Sequence, residues 1–147
     1  MVGRIEFIEK YKRIMAIDFG TKRIGIALSD PLHLFAKPFT TLSNTSIPEV
    51  IAALKVIITE QQVAAIVLGI PYSLEGEITA KTEEVFIFRT TLAEAMDIPL
   101  YEWNESLSTV EANNNLKKMG YGWKEAREHI DAMAACMILK SFMESNI

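Results

Sequence analysis

The sequence predicts an α/β fold with a mixed five-stranded sheet, in which an antiparallel meander precedes parallel strands and helices cover both faces. Two observations predict it. Three strand-like segments joined by short links come first, and short links favour antiparallel neighbours. Apolar strand-like runs then alternate with segments of helical periodicity, which is typical of parallel strands connected by helices. A length of 147 residues fits one domain.

The first two strands are predicted over 13–19 and 23–29, on either side of a tight turn bracketed by Gly20 and Gly25. The first is continuously apolar from Ile14 to Ile17, as a buried strand would be, and Asp18 follows this run. A third strand is predicted over 32–39, with a break near Lys37 and Pro38. Residues 1–12 are expected to form a short extension before the sheet.

The rest of the chain alternates between helices and strands. A helix is predicted over 48–61, with Pro48 in its first turn and Ser46 or Ile47 as its cap. Strands follow over 63–68 and 100–103, on either side of a helix over 79–96. Two further helices are predicted over 109–118, capped by Ser108, and over 124–144.

Composition restricts the class of protein. Half of the residues are hydrophobic and 23% are charged, an ordinary globular balance, and no apolar run approaches the roughly 20 residues of a membrane span. The single cysteine, Cys136, excludes an internal disulfide and favours a reducing compartment, so a cytoplasmic location is expected. A net charge of −4 argues against nonspecific nucleic-acid binding, but it is compatible with a nuclease that gathers acidic groups at a metal site.

Three acidic residues are the candidate catalytic groups and metal ligands. Asp18 and Glu105 follow apolar strands, and Asp131 lies at the edge of the apolar stripe of the last helix. Carboxylates suit Mg²⁺ or Mn²⁺, and two such ions about 3.5–4 Å apart can activate water against a phosphodiester. The alternative for Asp131 is a rim position paired with Arg127, four residues earlier. Zinc-ligand spacing and a serine-nucleophile motif are both absent from the sequence.

Four motifs follow one another along residues 13–142: DFGTKRIG at 18–25, VLGIP at 67–71, NESLST at 104–109 and IDAMAA at 130–135. In type and order they resemble the motifs of the YqgF/RuvX family of bacterial nucleases, which are similar to Holliday-junction resolvases. The resemblance implies an RNase H-like fold and metal-dependent phosphodiester hydrolysis with Asp18, Glu105 and Asp131 as the acidic set. It also implies maturation of the 5′ end of pre-16S rRNA or, on an older interpretation, cleavage of four-way DNA junctions. Either a monomer or a homodimer fits these substrates.

Basic and hydroxyl side chains near the acids are candidate nucleic-acid contacts. They are Thr21, Lys22, Arg23, Lys124 and Arg127, with Lys81 and Lys117 as further phosphate contacts. Two residues depart from the family pattern, since Asn104 replaces an aspartate and Ser106 an arginine. Trp103 ends an apolar strand, so a place in the core is expected for it rather than stacking on a base.

Two other functions remain open from the sequence. Actin-like and sugar-kinase-like ATPases also begin with an aspartate, a glycine turn and a second strand, but they need two such lobes. A noncatalytic module that binds RNA or the ribosome is the other alternative, and Asn104, Ser106 and the acidic balance favour it.

Overall fold

A computed structural model describes residues 8–9, 11–105 and 123–145, without the side chains of 123–129. Five strands form one sheet in the order β3-β2-β1-β4-β5. The pairs β1–β2 and β2–β3 are antiparallel, whereas β1–β4 and β4–β5 are parallel. The elements are, in chain order, β1 (Arg13–Phe19), β2 (Arg23–Ser29), β3 (Ala36–Ser43), α1 (Ile47–Glu60), β4 (Val63–Ile70), α2 (Ala80–Ala95), β5 (Leu100–Asn104) and α3 (Trp123–Ser145).

This topology confirms the predicted meander followed by parallel strands. The boundaries of seven elements agree with the prediction to within two residues, and the third strand is the exception discussed below. The predicted helix over 109–118 and its cap, Ser108, lie outside the described residues.

The third strand is shifted by four residues from its predicted position: it spans Ala36–Ser43, so the prediction of 32–39 is wrong for residues 32–35. The Asp30 carboxylate accepts hydrogen bonds from the backbone N–H groups of Leu32, Leu34 and Phe35, and this holds the apolar segment in a loop instead of a strand. β3 then passes through Pro38, where the sequence predicts a break. Proline is tolerated there because β3 is an edge strand and because its register against β2 shifts beside Pro38.

The two faces of the sheet carry residues of different size. Alternate residues of β1, β2 and β4 point to opposite faces. The face under α1 and α2 is built from large side chains, including Met15, Phe19 and Leu68. The face under α3 is rich in small residues, including Ala16, Ala27 and Ala65. α3 can therefore lie close to the backbone of the sheet.

Local signals in the sequence fix where α1 and α2 begin. The Ser46 hydroxyl accepts a hydrogen bond from the N–H of Glu49 and caps α1. Thr79 and Thr82 form a reciprocal capping box at the start of α2. In the described part of the chain, no helix has both the length and the apolarity needed to cross a membrane.

Candidate active site

Asp18 and Glu105 meet at the edge of the sheet where the parallel strands β1, β4 and β5 end. Asp18 is the penultimate residue of β1 and lies opposite Gly25 of β2. Glu105 directly follows β5, and its backbone N–H donates to the carbonyl of Ile70 at the end of β4. Strand alternation places Asp18 on the α3 face of the sheet.

The side chains of Asp18 and Glu105 are hydrogen-bonded to one another. Since a carboxylate only accepts, such a bond requires one of the two carboxyl groups to carry a proton. Burial and the neighbouring Asp18 charge raise the pKa of Glu105 to about 9, with the Lys81 charge opposing them. Burial also raises the pKa of Asp18; the Glu105 hydrogen bond and Lys81 oppose this rise, and Asp131 adds to it. The acidic pair therefore lies in an environment with too little positive charge for two carboxylates.

Gly69 provides the space in which the Glu105 carboxylate lies. A Cβ atom at this position of β4 would collide with Oε2 of Glu105 and with the side chain of Ile138 on α3. Oε2 is itself buried and finds no hydrogen-bond donor among the described residues. A buried carboxylate oxygen without a donor is costly, and a cation is the kind of group that satisfies it.

Asp131 reaches the same end of the sheet from α3. A Cβ at Gly25 would overlap the backbone carbonyl of Asp131, so glycine allows α3 to approach β2 directly opposite Asp18. The Asp131 carboxylate accepts a 2.8 Å hydrogen bond from Nε of Arg23 at the start of β2. This long-range ion pair differs from the alternative partner considered from the sequence, Arg127, whose side chain lies outside the described residues.

The described residues contain no group of three or more histidine, cysteine, aspartate or glutamate side chains arranged to hold a metal ion. Of the three predicted acids, Asp18 and Glu105 are in contact, whereas Asp131 is turned to Arg23 and acts on Asp18 through its charge. The acidic pair and its unsatisfied oxygen fit a cation. The Asp131 carboxylate lies near this pair but is bound to the Arg23 guanidinium.

The candidate nucleic-acid contacts divide into three groups. Arg23 lies beside the acids and pairs with Asp131, and Lys22 is an exposed residue of the adjacent turn. Thr21 instead donates a hydrogen bond from its hydroxyl to Glu84 of α2 at 3.1 Å. The side chains of Lys124 and Arg127 are outside the described residues, as is all of Lys117.

Trp103 is partly buried and packs against the hydrophobic core under α3. Its indole N–H donates to the hydroxyl of Ser141 at 3.0 Å, and its ring packs edge-on against Phe142 of α3. Trp103 thus helps to hold β5 against α3, two residues before Glu105.

Sequence reasoning missed the relation of Lys81 to the acidic pair. The sequence predicts Lys81 only as one of several phosphate contacts, yet its charge opposes the rise in the pKa of both Asp18 and Glu105. The available signal was its position in the first turn of α2, where a positive charge opposes the helix dipole.

A family model described as "RuvX: Holliday junction resolvase" matches residues 12–145 of the sequence. This protein belongs to the RuvX family. A protein of Maridesulfovibrio salexigens named "Putative pre-16S rRNA nuclease" is 36% identical over 131 residues, which cover 89% of this chain and 97% of the relative. A Rickettsia typhi protein of the same name is 39% identical over 127 residues, covering 86% of this chain and 81% of the relative. The resemblance drawn from the four motifs is thereby confirmed.

Solved structures show the same fold at much lower sequence identity. RuvC of T. thermophilus, solved in complex with a Holliday junction substrate, has a TM-score of 0.56 and 15% identity, covering 92% of this RuvX-family chain and 98% of RuvC. The Fowlpox virus resolvase, also solved with Holliday junction DNA, has a TM-score of 0.55 and 11% identity, covering 90% and 97% of the two chains. These matches confirm the predicted RNase H-like fold.

Proposed function

We propose that this protein is a nuclease that hydrolyses phosphodiester bonds with the help of Mg²⁺ or Mn²⁺, and that its substrate is the 5′ region of precursor 16S rRNA. The observation that carries the proposal is the contact between Asp18 and Glu105 above Gly69, with Glu105 Oε2 unsatisfied. The names of the relatives favour the rRNA substrate. Processing of a ribosomal precursor also fits the cytoplasmic location expected from the sequence.

Each acid has a distinct part in this proposal. Asp18 and Glu105 would hold the cation, because they already share one partly buried site with too little positive charge for two carboxylates. Asp131 would complete the acidic set from α3 once its carboxylate leaves Arg23. A divalent cation held there would supply an activated water and would stabilise the leaving oxygen, so the chemistry would require no nucleophilic side chain.

Arg23 and the neighbouring turn would hold the nucleic-acid backbone. More than half of the Arg23 side chain is exposed, and a guanidinium binds phosphate oxygens in a planar, paired geometry. Lys22 would add a second positive charge on the same turn. Lys124 and Arg127 remain nucleic-acid contacts that are predicted from the sequence alone.

Cleavage of four-way DNA junctions is the second candidate, favoured by the description of the family model. A single active site suffices for cutting one RNA strand, whereas symmetric cleavage of a junction requires two sites and therefore two copies of the chain. A preference for the RNA precursor is therefore compatible with a monomer, whereas symmetric cleavage of the junction predicts a dimer.

The decisive experiment is a cleavage panel of single-stranded RNA, a 16S rRNA precursor and a four-way DNA junction, each with Mg²⁺, with Mn²⁺ and with a chelator. We expect metal-dependent cleavage of the precursor by the wild type, no cleavage by Asp18→Asn, and wild-type cleavage by Asp97→Asn, which alters an exposed acid beyond the far end of α2. Retained cleavage by a folded Asp18→Asn protein would refute the assignment. RNA binding without any product, unaffected by metal, would instead identify a noncatalytic module.

A further inference from the structure

The first turns of α2 are fastened to the end of the sheet that carries the acids. The hydroxyl of Thr82 donates a 2.6 Å hydrogen bond to the carbonyl of Pro71, the first residue after β4. Two residues later, the Glu84 carboxylate accepts a hydrogen bond from the hydroxyl of Thr21 in the β1–β2 turn. Phe88 then stacks on Phe19, the neighbour of Asp18, with ring centroids 4.3 Å apart. The start of α2 therefore has a defined place beside the ends of β1 and β4.

Lys81 lies on the face of α2 that makes these contacts. Lys81, Glu84 and Phe88 are spaced at i, i+3 and i+7, which puts them on one side of a helix. Because Glu84 and Phe88 reach the end of β1, Lys81 one turn earlier lies at the edge of the sheet. Its charge accordingly acts on both Asp18 and Glu105.

The Lys81 ammonium lies near Asp18 and Glu105 but forms no ion pair with either of them. No acidic oxygen of a described residue lies within 4.0 Å of its nitrogen, in contrast to Arg23 at 2.8 Å from Asp131. The residue is also exposed to solvent. A cation in this position is able to accept an anion from outside the protein.

Helix stability does not account for a lysine at this position. A positive charge in the first turn opposes the helix dipole and costs about 0.3–1 kcal/mol. The exposed side chain gains little from packing to offset this cost. A role in binding an anion next to the acids explains the lysine better than a role in α2 itself.

We propose that Lys81 is a substrate-contacting residue whose ammonium binds a nonbridging oxygen of the phosphate at the cleaved bond. The proposal rests on the nuclease function proposed above. In the sheet, β1 lies between β2 and β4. Arg23 on β2 and Lys81 beside the end of β4 therefore flank Asp18 from two sides, and the substrate strand would pass between two cations.

The competing role for Lys81 is to neutralise the acidic pair when no divalent cation is bound. The two roles predict different effects of Lys81→Gln. Loss of a phosphate contact weakens RNA binding and slows cleavage, whereas loss of a neutralising charge removes a competitor and tightens cation binding with RNA affinity unchanged. Measuring both properties in the same variant distinguishes them.

The test compares Lys81→Gln and Lys81→Arg with Lys140→Gln, which removes an exposed lysine lining a cavity beside the 31–35 loop, at the opposite end of the sheet. For each protein, RNA affinity is measured against salt concentration in a chelator, kcat and KM are measured with Mg²⁺, and Mg²⁺ binding is measured by calorimetry without RNA.

For Lys81→Gln we expect kcat/KM to fall about tenfold or more, as for a lost hydrogen bond to a charged group. We also expect the slope of log affinity against log salt to decrease by about 0.7, the value for one phosphate contact on a single strand. Lys81→Arg should restore most of both properties, and Lys140→Gln should match the wild type. An unchanged salt slope, or tighter Mg²⁺ binding as the sole effect, would overturn the proposal. The salt slope needs no cleavage, so it decides the role of Lys81 even if the cleavage panel shows no nuclease activity.

Discussion

Arg23 and Asp131, 108 residues apart in the sequence, form an ion pair with Nε and Oδ2 separated by 2.8 Å. The pair joins the start of β2 to α3 at the point where Gly25 lets the helix approach the sheet. It also ties together a candidate phosphate contact and a candidate metal ligand. A phosphate that binds Arg23 and a cation that binds Asp131 would each compete with the pair.

Arg23→Gln should therefore weaken the binding of RNA and strengthen the binding of Mg²⁺. We expect a higher KM for RNA, because a phosphate contact is lost, and a lower Mg²⁺ concentration for half-maximal cleavage, because Asp131 is released. Stability should change by less than about 1 kcal/mol, since the arginine is largely exposed. Initial rates over both concentrations and urea unfolding measure these quantities, with Arg23→Lys as the charge-preserving control. A raised Mg²⁺ requirement with an unchanged KM would contradict this account of the pair.

Gly25→Ala should separate α3 from the sheet. The added Cβ would meet backbone atoms, with the Ala132 nitrogen 2.9 Å away, and backbone cannot move aside as a side chain can. We expect a loss of about 2 kcal/mol or more in the free energy of unfolding, together with loss of cleavage as Asp131 is displaced.

Gly76→Ala is the control for that substitution. A Cβ at Gly76 would meet nothing within 4 Å, although its φ of +82° strains an alanine. The expected cost is about 1 kcal/mol with cleavage retained. Equal stability of Gly25→Ala and the wild type in urea unfolding would show that α3 does not depend on this close approach.

The Glu105 pKa of about 9 predicts the pH dependence of the metal-free protein. As the pH rises, Glu105 of the unfolded chain loses its proton at a pKa near 4.5, whereas Glu105 of the folded protein keeps its proton until the pH reaches about 9. The folded state therefore binds more protons between these values, and stability falls as pH rises from about 5 to 9. The total loss should be on the order of a few kcal/mol at most, because the two acids titrate together.

Glu105→Gln should flatten this part of the pH profile and stabilise the metal-free fold at pH 8, while abolishing metal-dependent cleavage. Unfolding in a chelator at several pH values measures the effect, and Asp97→Asn serves as the control. A wild-type profile that rises between pH 5 and 9, with Glu105→Gln parallel to it, would show that Glu105 is ionised in the folded protein.

Asp30→Ala should affect the fold and leave cleavage unchanged. Burial opposes ionisation of this carboxyl, but hydrogen bonds from the N–H groups of Phe35, Leu34 and Leu32 outweigh it and lower the pKa of Asp30. The stabilisation is present above the ordinary pKa of about 3.8 and is lost as pH falls through the lowered value. We expect a cost of about 1–2 kcal/mol at pH 7 by thermal or urea unfolding. Since Asp30 follows the end of β2 remote from Arg23, a large change in kcat at full folding would be inconsistent with this assignment.

Local patterns determined most of the architecture. Apolar periodicity and capping residues located the described helices and four of the five strands, because each depends on neighbours a few positions away in the chain. The same patterns placed Asp18 and Glu105 directly at strand ends. The boundary of β3 was missed because three backbone N–H groups bind the Asp30 carboxylate, and periodicity does not register that competition.

The amino-acid sequence alone was enough to predict which elements form, their order, the family and the acids at the edge of the sheet. How those acids are engaged followed from the tertiary structure: Glu105 lies over Gly69 against Asp18, Asp131 is held by Arg23, and Lys81 approaches from α2. The difference arises from the distance over which each kind of signal acts. Periodicity reports which side of one element is apolar, whereas these contacts depend on how closely separate elements pack, and the glycines at 25 and 69 set that distance through the Cβ atoms they lack.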